Sequence, residues 1–208
     1  MASFQKPPTV SDDYRAIEIY RLSARIIYDK GFDATSMGDI AEAVDLTKGG
    51  LYYYIKGKKE LLYAIMNYAM DRLENEVLAA AQAETDPNRR LACLVSGHVQ
   101  LVIDEPSAMS ILVSEDEGLN ENHRPKIQKR KRTYTDFLRD SIADVLRAQR
   151  PHARIDPTVA AFGLLGMMQW VVRWYRPEGR YAKEEVIEQI TQLALHGLIP
   201  ETAEAPSH

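Results

Sequence analysis

The chain has 208 residues, 45% of them hydrophobic and 27% charged, which excludes an intrinsically disordered polypeptide and leaves room for one large globular domain or a small one beside a medium one. Its formal net charge of −4 weighs against a protein that coats nucleic acid over its whole surface; residues 1–59, however, hold 9 Lys and Arg against 8 Asp and Glu while the remainder is acidic, so local contact by the N-terminal part stays open. The single cysteine, Cys93, excludes an intrachain disulfide, the start carries no apolar run like a signal peptide, and the stretch from Val159 to Val172 is too short to span a bilayer, so a cytoplasmic protein with no membrane partner is expected.

In chain order, nearly every segment predicts helix. From Asp12 to Lys30, Ile17, Tyr20, Ala24 and Ile27 recur at three- and four-residue steps, and Gly31 ends the run. Thr35 and Ser36 supply an N-cap for a short helix, "MGDIAEAV", and Asp45-Leu46 makes a turn. Thr47 caps a second short helix, "KGGLYYYI", which Gly57 breaks. A long helix from Lys58 then carries Leu61, Leu62, Ile65, Ala69 and Leu73 on one face. Asp86-Pro87 and Asp156-Pro157 each place a carboxylate at N-cap and a proline at the first helical position, where its missing donor costs nothing. Pro106 sets off "SAMSILV", and Pro125 opens a long helix through Arg147 with Ile127, Tyr134, Leu138, Ile142 and Val145 in one stripe. The helix from Pro157 to Arg176 is apolar nearly all round, which predicts burial on more than one side. A last helix, Lys183 to His196, has Val186, Ile187, Ile190, Leu193 and Ala194 on one face and Gly197 as its stop. No strand signal competes, so the predicted fold is all-α: a three-helix head over 12–57, a helical body over 58–200, and disordered tails over 1–11 and 201–208.

The head has the layout of a helix-turn-helix unit, whose second short helix is the natural reader of a major groove. Between Leu46 and Lys59 fall four lysines and no carboxylate. Gly49 and Gly50 each cost a helix about 1 kcal/mol relative to alanine and make sense where backbone must approach another surface. Thr47 and Lys48 open that helix, where backbone donors favour a phosphate. Tyr52, Tyr53 and Tyr54 point in different directions, so at least one faces the core and the others offer hydroxyls and ring edges outward. The competing reading of the same spacing is a solvated surface helix with one buried tyrosine.

Gly31-Phe32, Thr35-Ser36, Ile40-Ala41, Thr47-Lys48-Gly49, Leu51-Tyr52, and Lys58 followed by Glu60-Leu61 form an ordered signature over Arg15 to Leu62 that resembles the DNA-binding domain of the TetR family of bacterial regulators. The resemblance implies phosphate contacts by Thr35, Ser36, Lys48, Tyr52 and Lys58, and base-edge contacts by Gly49, Gly50 and Tyr53. Two positions depart from the family: Asp45 stands where a glycine is usual in the turn, and Gly38 where a longer, often basic residue is common, which removes one expected contact.

TetR-like proteins pair through their last two helices into a two-fold dimer, which implies a homodimer on a roughly palindromic double-stranded operator with half-sites a turn or more, ~34 Å, apart. Ala160, Ala161, Gly163 and Gly166 independently offer a small-residue strip for close helix approach, and Ile190 and Leu193 offer apolar contact from the last helix. The alternative is a buried core helix in a monomer. "MMQWVVRWYRPEG" resembles the tail of a TetR branch that regulates fatty-acid, steroid-ring or phenylacetate breakdown and responds to acyl-coenzyme A thioesters. Gln169, Trp170, Arg173, Trp174 and Arg176 are the effector candidates there, with Met109, Leu112, Phe137, Phe162 and Met168 as apolar pocket candidates. The basic run "KIQKRKR" offers further charge for phosphates, although such runs are usually solvated faces. An unrelated hydrophobic or aromatic effector, or none, stays open at this point.

Repression is the expected outcome, with activation a possibility that sequence leaves standing. Catalysis has little support. Cys93 and His98 lie about 140° apart on one helix, poor geometry for a thiolate–imidazole pair. His98, His123, His152, His196 and His208 show no metal-ligand spacing, and no phosphate loop appears, so neither enzyme nor cofactor nor metal is expected. The rival to a DNA-binding regulator is a helical module whose head binds protein.

Overall fold

The structure is a computed structural model that describes residues 10–149 and 154–198. The expected tails lie outside these residues, apart from Val10 and Ser11, and so does His152. The described residues form helices and no strands: α1 Val10–Lys30, α2 Met37–Ala43, α3 Lys48–Tyr54, α4 Lys58–Arg72, α5 Ala79–Ala83, α6 Pro87–Asp104, α7 Pro106–Ser114, α8 Arg124–Gln149, α9 Pro157–Trp174 and α10 Lys183–Leu198. The fold is all-α, as the sequence predicts.

Two compact units emerge. The first runs through Ala69 and takes in Ser107–Ile127; the second comprises Met70–Pro106 and the chain from Gln128 onward. The helix-turn-helix segment over 12–57 therefore sits wholly in the first unit, which also holds most of α4, α7 and the start of α8.

In the first unit the core gathers Ile19, Ala24 and Ile27 of α1 with Ile40 of α2, Leu51 of α3 and Leu61, Leu62 and Ile65 of α4. The inward face of α1 is rotated from the predicted stripe: Ile17 is exposed, and Ile19 and Ser23 are buried instead. The turns carry the geometry their residues favour. Gly31 closes α1 at φ +87°, and Asp45 holds the turn between α2 and α3 at φ +52°, so it takes the left-handed conformation for which the family favours glycine. Arg15 donates to the Val44 carbonyl at 2.7 Å and ties α1 to that turn. A short 3₁₀ turn, Asp116–Gly118, follows α7 and presses on the same core: a Cβ on Gly118 would lie 2.7 Å from Leu62 Cδ2 and 3.0 Å from the Phe32 ring.

In the second unit α6 packs against α5, α9 and α10. The helix begun by α4 does not stop at Arg72 but passes through a π-helical stretch, Leu73–Leu78, into α5, with the Ala79 N–H donating to the Glu74 carbonyl five residues back. Gly97 of α6 makes room for it, since a Cβ there would stand 3.2 and 3.3 Å from the Val77 methyls. Arg130 of α8 pairs with Glu74 at 2.8 Å and Asp71 at 2.6 Å beside this stretch, and Arg72 pairs with the buried Glu105 at 3.0 Å. Asp86 and Asp156 cap α6 and α9 as their Asp-Pro pairs predict, accepting from Arg89 N at 2.9 Å and from Thr158 N at 2.8 Å.

Within one subunit α9 is buried on one side only. Ala161, Leu164, Met168 and Val171 face inward, whereas Val159, Phe162, Trp170 and Trp174 are exposed. Three- and four-residue steps put these sets on opposite faces, and a single subunit covers only one of them.

Candidate nucleic-acid interface

The short helix α3 is set by its two ends and one face. Thr47 is its N-cap, its hydroxyl oxygen accepting from Gly50 N at 3.0 Å. Leu51 and Ile55 are buried and anchor the helix to the head, and Tyr54 is half-buried with its ring edge-on to Tyr53 at 5.2 Å. What remains outward is Thr47, Lys48, Gly49, Tyr52 and Tyr53, the last of them 80% exposed. The tyrosine row thus divides as its helical spacing requires, with Tyr54 turned toward the protein and its two predecessors away.

The two glycines have different causes. A Cβ on Gly49 would meet only the Thr47 hydroxyl, at 4.0 Å, so nothing among the described residues requires glycine there. A Cβ on Gly50 would stand 3.3 Å from the same hydroxyl, the acceptor for its own N–H, so Gly50 serves the cap, a reason that the helix-cost argument does not reveal.

Ser36 caps α2 in a reciprocal box with Asp39. The Asp39 N–H donates to the Ser36 hydroxyl at 3.1 Å, and Ser36 N–H donates back to the Asp39 carboxylate at 2.7 Å. The Ser36 hydroxyl, donating to the same carboxylate at 2.6 Å, together with that N–H and with Lys30 at 3.3 Å, pulls the Asp39 carboxyl down to about 2. Gly38, the second departure from the family pattern, proves informative. A Cβ there would lie 3.0 Å from Lys48 Cε, 3.3 Å from Lys48 Nζ and 3.4 Å from the Ser36 hydroxyl. The Lys48 ammonium lies over the bare backbone of α2, beside the Ser36 hydroxyl.

Two predicted phosphate-contacting residues are placed otherwise. Thr35 is 1% exposed and donates its hydroxyl to the Gly31 carbonyl at 2.8 Å, so its side chain belongs to the head's interior. Lys58 is half-buried, donating from Nζ to the Phe32 carbonyl at 2.8 Å and the Asp33 carbonyl at 3.2 Å, with the Phe32 ring 4.5 Å below. Both hold the α1–α2 turn. Thr35 bonds back across the turn and Lys58 reaches a segment about 25 positions earlier, which residue type alone does not reveal.

The family profile described as "Bacterial regulatory proteins, tetR family" matches residues 19–65, and "Tetracyclin repressor-like, C-terminal domain" matches residues 84–198. The chain belongs to the TetR family. Among solved structures, that of AibR in complex with isovaleryl coenzyme A and operator DNA is 36% identical, covers 86% of this chain and 97% of its own, and superposes with a TM-score of 0.76. The transcriptional repressor KstR2 of Rhodococcus jostii is 28% identical over 200 residues, covering 92% of this chain and 97% of its own. The transcriptional activator FasR of Mycolicibacterium smegmatis is 24% identical over 187 residues, covering 89% and 84%. This TetR-family chain is a DNA-binding transcriptional regulator, and the outward set on α3 belongs to its helix-turn-helix.

The other candidates divide by unit and by face. Met109 and Leu112 are buried in α7 of the first unit, whereas Met168 is buried and Phe137 and Gln169 half-buried in the second. Phe162, Trp170 and Trp174, expected to line an effector pocket, instead stand on the open face of α9, with Phe162 62% and Trp170 64% exposed. Arg173 and Arg176 are exposed too, Arg176 donating to its neighbour's carbonyl, Tyr175 O, at 2.8 Å. Gly163 and Gly166 lie on that face with nothing within 4 Å of an added Cβ, and Ala160 is half-buried at its edge. Leu193 is exposed on α10, but Ile190, expected to reach a partner, is buried within this subunit, where α10 packs on α6. Among the described residues no cluster of three or more His, Cys, Asp or Glu stands ready to hold a metal ion, and no helix is long and apolar enough to cross a membrane.

Proposed function

We propose that this protein is a cytoplasmic repressor that binds a roughly palindromic operator as a homodimer and leaves it when an acyl-coenzyme A thioester binds. The observation that carries the DNA-binding half is Gly49: the outward face of α3 keeps a glycine that nothing among the described residues requires, between Lys48 and the exposed Tyr52 and Tyr53. A helix so trimmed fits close against base edges, with Lys48 and Ser36 on flanking phosphates. Pairing is supported by the open strip of Val159, Phe162, Gly163, Gly166 and Trp170 on α9, with Leu193 on α10. An apolar strip of this kind marks an interaction surface, and bare glycines permit two helices to approach. The head over 12–57 reads DNA in this proposal, and the body over 58–200 takes the effector and the second copy.

The effector class is supported by AibR, a relative similar over most of both chains and crystallised with isovaleryl coenzyme A and operator DNA. The sign follows the KstR2 repressors, with the FasR activator as the competing outcome. The mechanism is a population shift: the thioester binds more tightly to arrangements of the pair that no longer match both half-sites, with a coupling of about 1–3 kcal/mol between the two ligands.

Selection of an operator from random duplexes, followed by titration with acyl-coenzyme A thioesters of several chain types, tests the reading. Salt-sensitive binding to a two-fold site and release by at least one thioester are expected. Release by some other metabolite and by no thioester would overturn the effector class and leave the DNA-binding regulator standing.

A further inference from the structure

His98 is the one polar side chain on the buried face of α6, where it stands among Leu91, Leu94, Val95, Leu101 and Val102. It is 4% exposed. Its Nδ1 is 2.9 Å from the phenolic oxygen of Tyr134 on α8, also buried, and its Nε2 has no hydrogen-bond partner among the described residues. Both residues belong to the second unit. Burial pulls the imidazole down to about 4, so the ring is neutral at ordinary pH and carries one donor and one acceptor.

The proton can be placed by counting unsatisfied groups. If Nδ1 carried it and donated to Tyr134, the phenol's own proton and the Nε2 lone pair would both be left over, because Tyr134 has no other hydrogen bond among the described residues. If Tyr134 donates to Nδ1, the phenol's proton and the Nδ1 lone pair are both engaged, and a single N–H on Nε2 remains. The second arrangement leaves fewer buried polar groups unpaired. It gives an aliphatic interior one isolated donor, suited to a ligand that is mostly hydrocarbon and carries one acceptor oxygen.

We propose that the Nε2–H of His98 donates a hydrogen bond to the carbonyl oxygen of the acyl thioester, with Tyr134 as the positioning residue that fixes the imidazole tautomer. The inference rests on the effector reading above and deepens it. The carbonyl belongs to the acyl group, so coenzyme A alone lacks the atom that His98 recognises.

The test uses the full chain bound to its selected operator, with isovaleryl, octanoyl and phenylacetyl coenzyme A as probes and free coenzyme A as control. His98→Phe keeps ring volume without the donor. It is expected to keep its operator affinity and to need about five- to tenfold more thioester for release, the loss of roughly one hydrogen bond. Tyr134→Phe is expected to raise that requirement by a smaller factor. Nitrogen-15 labelling of the histidines supplies a readout independent of folding in the variants. In wild type the His98 ring is expected to show a protonated Nε2 whose resonance moves with a releasing thioester and not with free coenzyme A. A releasing thioester that leaves this resonance in place, or that acts equally on wild type and His98→Phe, would overturn the assignment, as a bridging water at Nε2 would, and the effector reading would survive. Failure of every thioester to release wild type would remove both.

Discussion

Gly49 and Gly50 are adjacent and chemically identical, yet only Gly50 is confined by its own chain, where an added Cβ would stand 3.3 Å from the Thr47 hydroxyl. Gly49→Ala is therefore expected to leave the melting temperature unchanged or raise it, by up to about 1 kcal/mol of helix propensity, while weakening operator binding. A thermal melt beside an anisotropy titration checks both halves. Lys48→Ala should weaken binding to all duplexes alike and lower the salt slope by about one, whereas Tyr53→Ala should also blur the sequence preference. Equal affinity of both variants and wild type for the operator would remove α3 from the interface. Asp39 gives a pH prediction. Its folded carboxyl is depressed from 3.8 to about 2 by Ser36, so its contribution to stability is complete above pH 4 and is lost as pH falls toward 2. Asp39→Ala should show a flatter stability curve in that window by circular dichroism. At this scale the legible features are local ones: Thr47, Asp86 and Asp156 cap the residues that follow them directly. Thr35 and Lys58 were not legible as inward residues, because Lys58 finds its partners about 25 positions away and Thr35 bonds back across a turn.

The elements themselves were read largely from punctuation, since Gly31, Pro87, Pro106 and Pro157 sit at helix ends in the sequence and in the structure. The π-helical stretch Leu73–Leu78 had no such mark. Its widened turn depends on Gly97 admitting Val77 and on Arg130 reaching Glu74, contacts between positions distant in sequence. Gly97→Val would fill that space, and the overpacking is expected to cost about 1–3 kcal/mol, seen as a lower melting temperature at fixed protein concentration. For α9, sequence gave two apolar faces without saying which goes inward. Ala161, Leu164, Met168 and Val171 occupy the subunit core, so Phe162, Trp170 and Trp174 move from effector candidates to the outer surface.

For the whole molecule, the fold class and the family followed from one sequence because helix periodicity and the turn signature agree. The effector did not, because the aliphatic side chains of a pocket and of a core are chemically alike. Phe162→Glu is expected to yield a chain with unchanged helix content that sediments as a monomer and binds the operator poorly. A dimer of normal affinity would place the pairing surface elsewhere. The bare strip on α9 also has a genetic consequence. If copies pair through α9 as proposed, one whose reading helix is ruined but whose Phe162, Gly163 and Trp170 are intact still mates with sound copies. When half of the polypeptides in a cell are of that kind, about a quarter of random pairs carry two working readers, so the defective allele is dominant over the healthy one.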